Sequence, residues 1–345
     1  MKKFFPYLLI LFTATSWLAC TPKTSPGTTD HPTLRLDELP EIIALGSCND
    51  EERKQPLWEP ILEHHPDLWL WLGDNIYADT DDPDIFREKY NKQLANPGYR
   101  TLMSSTPMLG VWDDHDYGLN DGGKEYTAKE LSKSEMLRFL GVSKNDPVRD
   151  HPGAYQAKRF SRNEKSLKVI LLDARWFRDN LIRKNGVNQP NENGEILGEE
   201  QWNWLQKELS ESTDLVIIGS GIQFLPVDHP YEKWSNFPKE RQRLFDMIDG
   251  SKAGQVILVS GDRHLAEVSK LETPGGKTLW ELTSSGLTHA YRGEPDEINR
   301  HRVGPVIPRL NFGIIRIDWN SEKPAVELEI RGENNILYHQ IPAGT

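Results

Sequence analysis

Side chains able to grip metal ions and to move protons recur along this 345-residue chain in short blocks. Asp262-Arg263-His264 follows the apolar run 256–259. In an extended segment residues two apart project to one side, so Asp262 and His264 share a site while Arg263 points elsewhere. Gly73-Asp74-Asn75-Ile76-Tyr77 adds a hard carboxylate and a phenol, and Gly46-Ser47-Cys48 a thiol. Cys48, Asp74, Tyr77 and His264 then make three anion-forming ligands and one imidazole. That set departs from the Cys/His sets of structural zinc, and the absence of a Cys-x-x-Cys pair excludes a zinc finger or ribbon. Phenolate, thiolate and carboxylate together favour a trivalent ion, ferric iron (Fe3+) ahead of zinc. A second, harder ion bridged by Asp74 would take oxygens from Asp262 and Asn120, as calcium (Ca2+) does. Two cations about 4 Å apart clamp a phosphate and acidify a bound water, the metal-bound hydroxide or oxide that attacks phosphorus.

The block Trp112-Asp113-Asp114-His115-Asp116 contributes the proton chemistry. His115 is placed to protonate a leaving alkoxide or to hydrogen-bond a bound phosphate, with Asp114 orienting its ring or touching the second metal. The plainer reading of this acidic run is a solvated loop with capping aspartates. Arg175, in Leu172-Asp173-Ala174-Arg175, has the planar fork that suits a phosphate, and an equally good reading is a structural bridge to Asp173.

These blocks need elements that carry them to one place. Apolar runs at 41–45, 68–72, 108–111, 169–172, 215–218 and 256–259 each end in a Gly- or Asp-containing turn, the pattern of buried strands in an α/β sheet. Polar groups delivered at the carboxyl ends of such strands converge however far apart they lie in the chain. Amphipathic helices are expected at 84–95, 127–140, 199–209 and 240–248. Segments 312–317 and 326–330 read as antiparallel strands with one wet face.

At the start of the chain Lys2 and Lys3 precede an apolar stretch and Leu18-Ala19-Cys20, which reads as an export signal too short to span a bilayer. The expectation is a signal over 1–20 with Cys20 diacylated as in a bacterial lipobox, a flexible tether over 21–40 and one domain over 41–345, anchored to a membrane in the periplasm or at the cell surface. With Cys20 so used, Cys48 is a lone thiol in an oxidising compartment, a liability that metal binding removes. The formal charge of −11 argues against a nucleic-acid partner, so a phosphate substrate would rely on the positive charge of metal ions.

Taken in order, Gly46-Ser47-Cys48, Gly73-Asp74-Asn75-Ile76-Tyr77, Trp112-Asp113-Asp114-His115-Asp116, Leu172-Asp173-Ala174-Arg175 and Ser260-Gly261-Asp262-Arg263-His264 resemble the motifs of the PhoD-like (alkaline phosphatase D) metallophosphatases. The resemblance implies an α/β four-layer αββα metallophosphatase (calcineurin-like phosphoesterase) sandwich that hydrolyses phosphomonoesters and, in some members, phosphodiesters. It implies Cys48, Asp74, Tyr77 and His264 as iron ligands and Asp74, Asn120 and Asp262 around a calcium-containing partner site, with Asp114 competing with Asn120. Asp114, His115 and Arg175 are the expected catalytic residues. The N-terminal β-domain and the C-terminal helix common in larger members are not apparent. Rival readings are a phospholipase-type phosphodiesterase of the same family and a non-catalytic phosphate- or metal-binding surface lipoprotein. Most of the eleven tryptophans are expected in the core. Trp234 with Phe237 is the best candidate for a substrate-facing aromatic, and His289 for a rim residue, while the histidines outside the blocks are expected at the surface or in turns.

Overall fold

The computed structural model describes residues 32–291 and 297–344, together with 1, 2 and 4. The expected export signal, Cys20 and the first part of the tether lie outside the described residues. No helix among the described residues is long and apolar enough to cross a membrane.

The strands in chain order are β1 (Ile42–Gly46), β2 (Leu68–Leu72), β3 (Met108–Val111), β4 (Gln156–Arg162), β5 (Lys165–Leu171), β6 (Ile182–Lys184), β7 (Val187–Gln189), β8 (Thr213–Ser220), β9 (Ala253–Ser260), β10 (Ala266–Glu272), β11 (Thr278–Ser284), β12 (Phe312–Asp318), β13 (Ala325–Arg331) and β14 (Leu337–Pro342). The helices are α1 (Trp58–Leu62), α2 (Pro83–Ala95), α3 (Pro97–Ser105), α4 (Asp114–Tyr117), α5 (Lys129–Phe139), α6 (Gly198–Ser210) and α7 (Pro238–Asp249). One six-stranded sheet runs β14-β13-β12-β1-β2-β3, the other β10-β11-β9-β8-β5-β4, and β6 pairs with β7 in a separate hairpin. In the first sheet β1, β2 and β3 are parallel, and β12 joins antiparallel with Ile42 opposite Arg316. In the second, β5, β8, β9 and β11 are parallel, with β4 and β10 antiparallel at the edges.

Buried side chains on both faces of each sheet explain the near-continuous apolar runs. The inner faces meet directly: a Cβ on Gly219 of β8 would lie 3.1 Å from Leu72 of β2, and one on Gly313 of β12 2.8 Å from Leu45 and 3.0 Å from Leu282. On the outer face of the first sheet Trp69 and Trp71 pack on Trp58 of α1 at 5.5 and 5.7 Å between ring centroids, and Trp71 also meets Tyr99 of α3 and Phe139 of α5. Ile170, Val216, Ile218, Val256 and Leu258 cover the outer face of the second sheet beneath Trp202 and Leu205 of α6 and Leu244 and Ile248 of α7. Helices, sheet, sheet, helices is the four-layer order expected. Beyond Phe312 the only helical element among the described residues is a single 3-10 turn, Glu333–Asn335.

β5 begins four residues before the expected run because it forms a hairpin with β4 across Asn163-Glu164, whose φ values of 48° and 65° make the tight turn that suits paired strands. β4 itself carries no clean alternation, since Lys158 and Arg159 are only half-buried and tie to Asp146 and Thr213.

Candidate metal centre

Every block singled out above lies just past the carboxyl end of a parallel strand, and the turns there are sharply bent. Cys48, Asp74, Asp262 and His264 take φ values of 57°, 49°, 68° and 52°. Left-handed backbone costs a non-glycine residue about 1–2 kcal/mol, and such strain collects at functional sites. Asp262 and His264 therefore do not converge as alternate residues of an extended strand. Each enters the site through its own left-handed bend, and Arg263 turns away to an ion pair with Glu297 at 2.6 Å.

Two glycines, Gly221 and Gly261, let the turns of the two sheets touch, and Gly73 brings together neighbouring turns of the first sheet. A Cβ on Gly73, where φ is +89°, would fall 2.3 Å from Asp113 Cβ, and one on Gly221 would fall 2.3 Å from Asp113 Oδ1. One on Gly261 would meet the Leu72 carbonyl at 2.4 Å. Asp113 is thus wedged between the end of β2 and the end of β8, one from each sheet. Asp116 Oδ1 ties the same turns by accepting from the backbone N–H groups of Asp74 at 3.0 Å and Asp113 at 2.8 Å, and its Oδ2 accepts from Asn75 Nδ2 at 2.6 Å.

The expected iron ligands are brought together in part: Cys48, Asp74 and Tyr77 touch, while neither Cys48 nor His264 joins a set of three ligand atoms within 4.8 Å of one another. Cys48 is fully buried, its Sγ 3.3 Å from Asp74 Oδ2 and 3.0 Å from Ser285 Oγ. The same Ser285 hydroxyl accepts the His264 backbone N–H at 2.7 Å, so it links the Cys48 thiol to the backbone of the His264 turn. Tyr77 donates its phenol to Asp74 Oδ2 at 3.3 Å. The His289 ring lies 4.4 Å from that of His264 and 5.2 Å from that of Tyr77, and lines a neighbouring cavity with Arg53 and Thr288. Two sets of ligand atoms lie within 4.8 Å of one another, Asp74 with Asp114 and His115, and Asp113 with Asp114 and Asp262, so Asp114 belongs to both. Asn120 is exposed and lines the same cleft as Asp114, His115, Asp262 and His264.

Burial dominates the charge in this cluster, although at Asp114 it is outweighed by Arg175 and His115, which lower the carboxyl below its usual range. Burial, with the neighbouring Cys48 and Asp114, holds the Asp74 carboxyl well above the usual range. Burial and Asp114 raise Asp262 to about 6. Burial likewise lifts the Cys48 thiol to about 11 and the Tyr77 phenol well above 10. At His115 burial opposes the imidazolium, yet the hydrogen bond to Asp79 and the charges of Asp74 and Asp114 outweigh it and raise the pKa to about 10. His264 goes the other way, lowered by burial, and its Nδ1 is buried without a partner, as is Asp113 Oδ2. Acids kept from ionising chiefly by burial, beside a neutral imidazole with an unused nitrogen, form a donor set that cations complete. The residues fit a pair of bound metal ions.

Arg175 differs from its first expectation. It is fully buried, with its guanidinium 2.5 Å from Asp113 and 2.7 Å from Glu232, and Glu232 also meets Arg178 at 3.0 Å. The bridging reading fits better, although the partners are Asp113 and Glu232, while Asp173 accepts only its backbone N–H. The His115 ring is oriented by Asp79, which takes Nδ1 at 2.7 Å; Asp114 Oδ1 instead accepts the His115 backbone N–H at 3.0 Å. Trp234 and Phe237, expected to face a substrate, are fully buried, with Trp234 stacked on Phe224 at 5.2 Å and bonded to Ser220 at 3.3 Å. A proline-flanked loop is no guide to exposure when its aromatics complete the core under α7. His229, expected at the surface or in a turn, is buried with both ring nitrogens unpartnered. Asp79, Asp116, Ser285 and Glu232 escaped the sequence reading, and only Asp116, inside a block, had a local signal.

A family model described as PhoD-like phosphatase matches residues 43–328. Alkaline phosphatase D of Bacillus subtilis (strain 168) is 23% identical over 320 residues, which cover 78% of this chain and 54% of that protein. The chain thus spans about half the length of the curated relative it matches. Among solved structures, one described as the structure of PhoD superposes with a TM-score of 0.67 at 16% identity, covering 91% of this chain and 73% of the other. GAP50, the anchor in the inner membrane complex of Plasmodium, gives 0.57 at 12% identity over 88% and 89% of the two chains. A dimetal phosphatase from Danio rerio gives 0.51 at 14% identity over 88% and 98%.

Proposed function

Because this chain belongs to the PhoD-like phosphatase family, we propose that it hydrolyses phosphate esters at a pair of metal ions, one ferric and one calcium. The observation that carries this reading is the pair of acidic clusters that share Asp114 at the joined edges of two sheets. Cys48, Asp74, Tyr77 and His264 would hold the iron, and Asp74, Asp114, Asp262 and Asn120 are the candidates for the second ion. Bound there, the ions would supply the positive charge that phosphate oxygens need and lower the pKa of a water.

The protein's own groups do the rest. Asp79 holds His115 through Nδ1 at 2.7 Å, which leaves Nε2 to carry the proton. As the P–O bond to the alcohol breaks, that proton passes to the leaving oxygen while water supplies the new P–O bond. Arg175, locked between Asp113 and Glu232, acts by fixing the Asp113 wedge and so the spacing of the turns. Asp113 and Asp116 keep Asp74 and Asp114 in register. The chain would work outside the cytoplasm, exported and tethered through a lipid on Cys20.

Elemental analysis of protein purified without added metal, combined with a phosphate-ester assay of the parent and His115→Ala, tests the reading. Iron with a second ion in the parent, and a fall in kcat of about 100-fold in the variant, are expected. Metal-loaded parent protein that binds phosphate but turns over neither a monoester nor a diester would replace the enzyme with a phosphate-binding lipoprotein.

A further inference from the structure

Two large side chains at the mouth of the cleft take no part in the chemistry above. Tyr231 and Tyr291 line the same cavity of about 180 Å³ as Asp114, His115, Asp262 and His264, yet they are 38% and 54% exposed. Each is held in place by one residue of the Asp262-Arg263-His264 turn. The Arg263 guanidinium, anchored on Glu297, sits 4.5 Å from the centre of the Tyr231 ring. The His264 ring meets Tyr291 edge-on at 4.8 Å and 72°, and the Tyr291 N–H is bonded to the His264 carbonyl at 2.9 Å. Consecutive residues therefore prop one exposed ring each beside Asp262. A ring fixed before binding loses little freedom when a ligand stacks on it.

The cavity is smaller than the roughly 300 Å³ at which pockets begin to enclose drug-sized ligands. It takes a phosphoryl group, and whatever the phosphate is attached to must lie across the rim. The rim sets the two tyrosines beside Arg183, which is ion-paired with Asp121 at 2.8 Å. An acyl chain needs a continuous apolar groove, whereas a planar ring with polar edges is matched by aromatic faces interleaved with charged groups.

Building on the phosphoesterase reading, we infer that Tyr231 and Tyr291 clamp the leaving group, and that the preferred substrates are phosphate esters whose leaving alcohol carries a planar ring, nucleosides foremost. The test compares adenosine 5′-monophosphate with ribose 5-phosphate, in which an anomeric hydroxyl stands in place of the base, each assayed as the monoester and as its methyl diester. The parent should favour the adenosine ester by about tenfold in kcat/KM, the scale of one stacking contact. Tyr231→Ala and Tyr291→Ala should bring that ratio towards one by lowering adenosine ester turnover more than ribose ester turnover, and Tyr→Phe at either position should restore it. Saturation-transfer NMR on the base protons of adenosine reads the clamp without turnover, and its signal should vanish in the double Tyr→Ala variant. A parental ratio near one, or alanine variants that keep the preference, overturns the clamp while leaving the hydrolase standing. Turnover of none of the four esters by metal-loaded protein removes the hydrolase reading and the clamp with it.

Discussion

Replacing Gly73 by alanine tests the close approach between the turns that follow β2 and β3, neighbours in the first sheet. The new methyl would sit 2.3 Å from Asp113 Cβ and 2.7 Å from the Asp113 backbone nitrogen, on a residue whose φ is +89°. Two costs add. Holding an L side chain in this backbone region takes about 1–2 kcal/mol, and forcing two backbone turns apart by about 1 Å takes a further 1–3 kcal/mol or so. The expected loss is therefore about 2–5 kcal/mol. Gly276 provides the control, because its φ is +85° and a Cβ there would meet nothing within 4 Å. Gly276→Ala should show the backbone cost alone, about 1–2 kcal/mol. Urea denaturation of the two variants measures the difference, and metal content and kcat/KM measured alongside report the site. Asp113 and Asp74 lie on the two sides of the forced contact, so Gly73→Ala should also lower kcat/KM by about 100-fold, the usual penalty for a 1 Å misplacement. Equal destabilisation by the two substitutions, or full metal content and activity in Gly73→Ala, would refute the close-approach argument.

Two other outcomes follow from the same geometry. Asp79→Ala should lower kcat by about 10- to 100-fold with metal content and KM nearly unchanged, because Asp79 positions the His115 ring without reaching the substrate; steady-state kinetics with elemental analysis decide it. Glu281 is buried on β11, where it accepts from Ser260 and from the backbone N–H groups of Phe224 and Leu225, and burial raises its pKa from 4.5 to about 7. The folded state binds this proton more tightly than the unfolded chain, so stability contributed by the protonated acid is complete below pH 4.5 and is lost as pH rises to about 7. The difference in unfolding free energy between parent and Glu281→Gln should move in the variant's favour across that window, and a difference independent of pH would count against it.

Strand positions were legible wherever an apolar run is bounded by a turn residue, as at Leu68–Leu72 before Gly73 and Met108–Val111 before Trp112-Asp113. The blocks that follow those runs named most of the ligand candidates, since parallel strands bring their carboxyl ends to one edge whatever the sequence distance. What stayed hidden was decided by tertiary contact. Asp79 lies in the run Asp79-Thr80-Asp81-Asp82, and nothing in the chain distinguishes it from its neighbours until it meets His115. Asp113 gains its place from Gly73 and Gly221, residues of different sheets. β10 and β11 hold buried Glu267, Ser269 and Glu281 satisfied by partners elsewhere in the chain, so their patterns read as too polar for a core sheet.

The first sheet is assembled from the two ends of the chain: β1 lies between β2 and β12, with more than 260 residues separating the paired Ile42 and Arg316. During synthesis β1, β2 and β3 emerge long before β12, β13 and β14, so one flank of β1 waits as a bare row of N–H and C=O groups. Closing that row is a contact of very high sequence separation, which places it among the slow events of folding. A truncation that removes β12 to β14 would leave the Cys48 turn at the tip of an unguarded strand, and its fate would be self-association rather than a smaller folded domain.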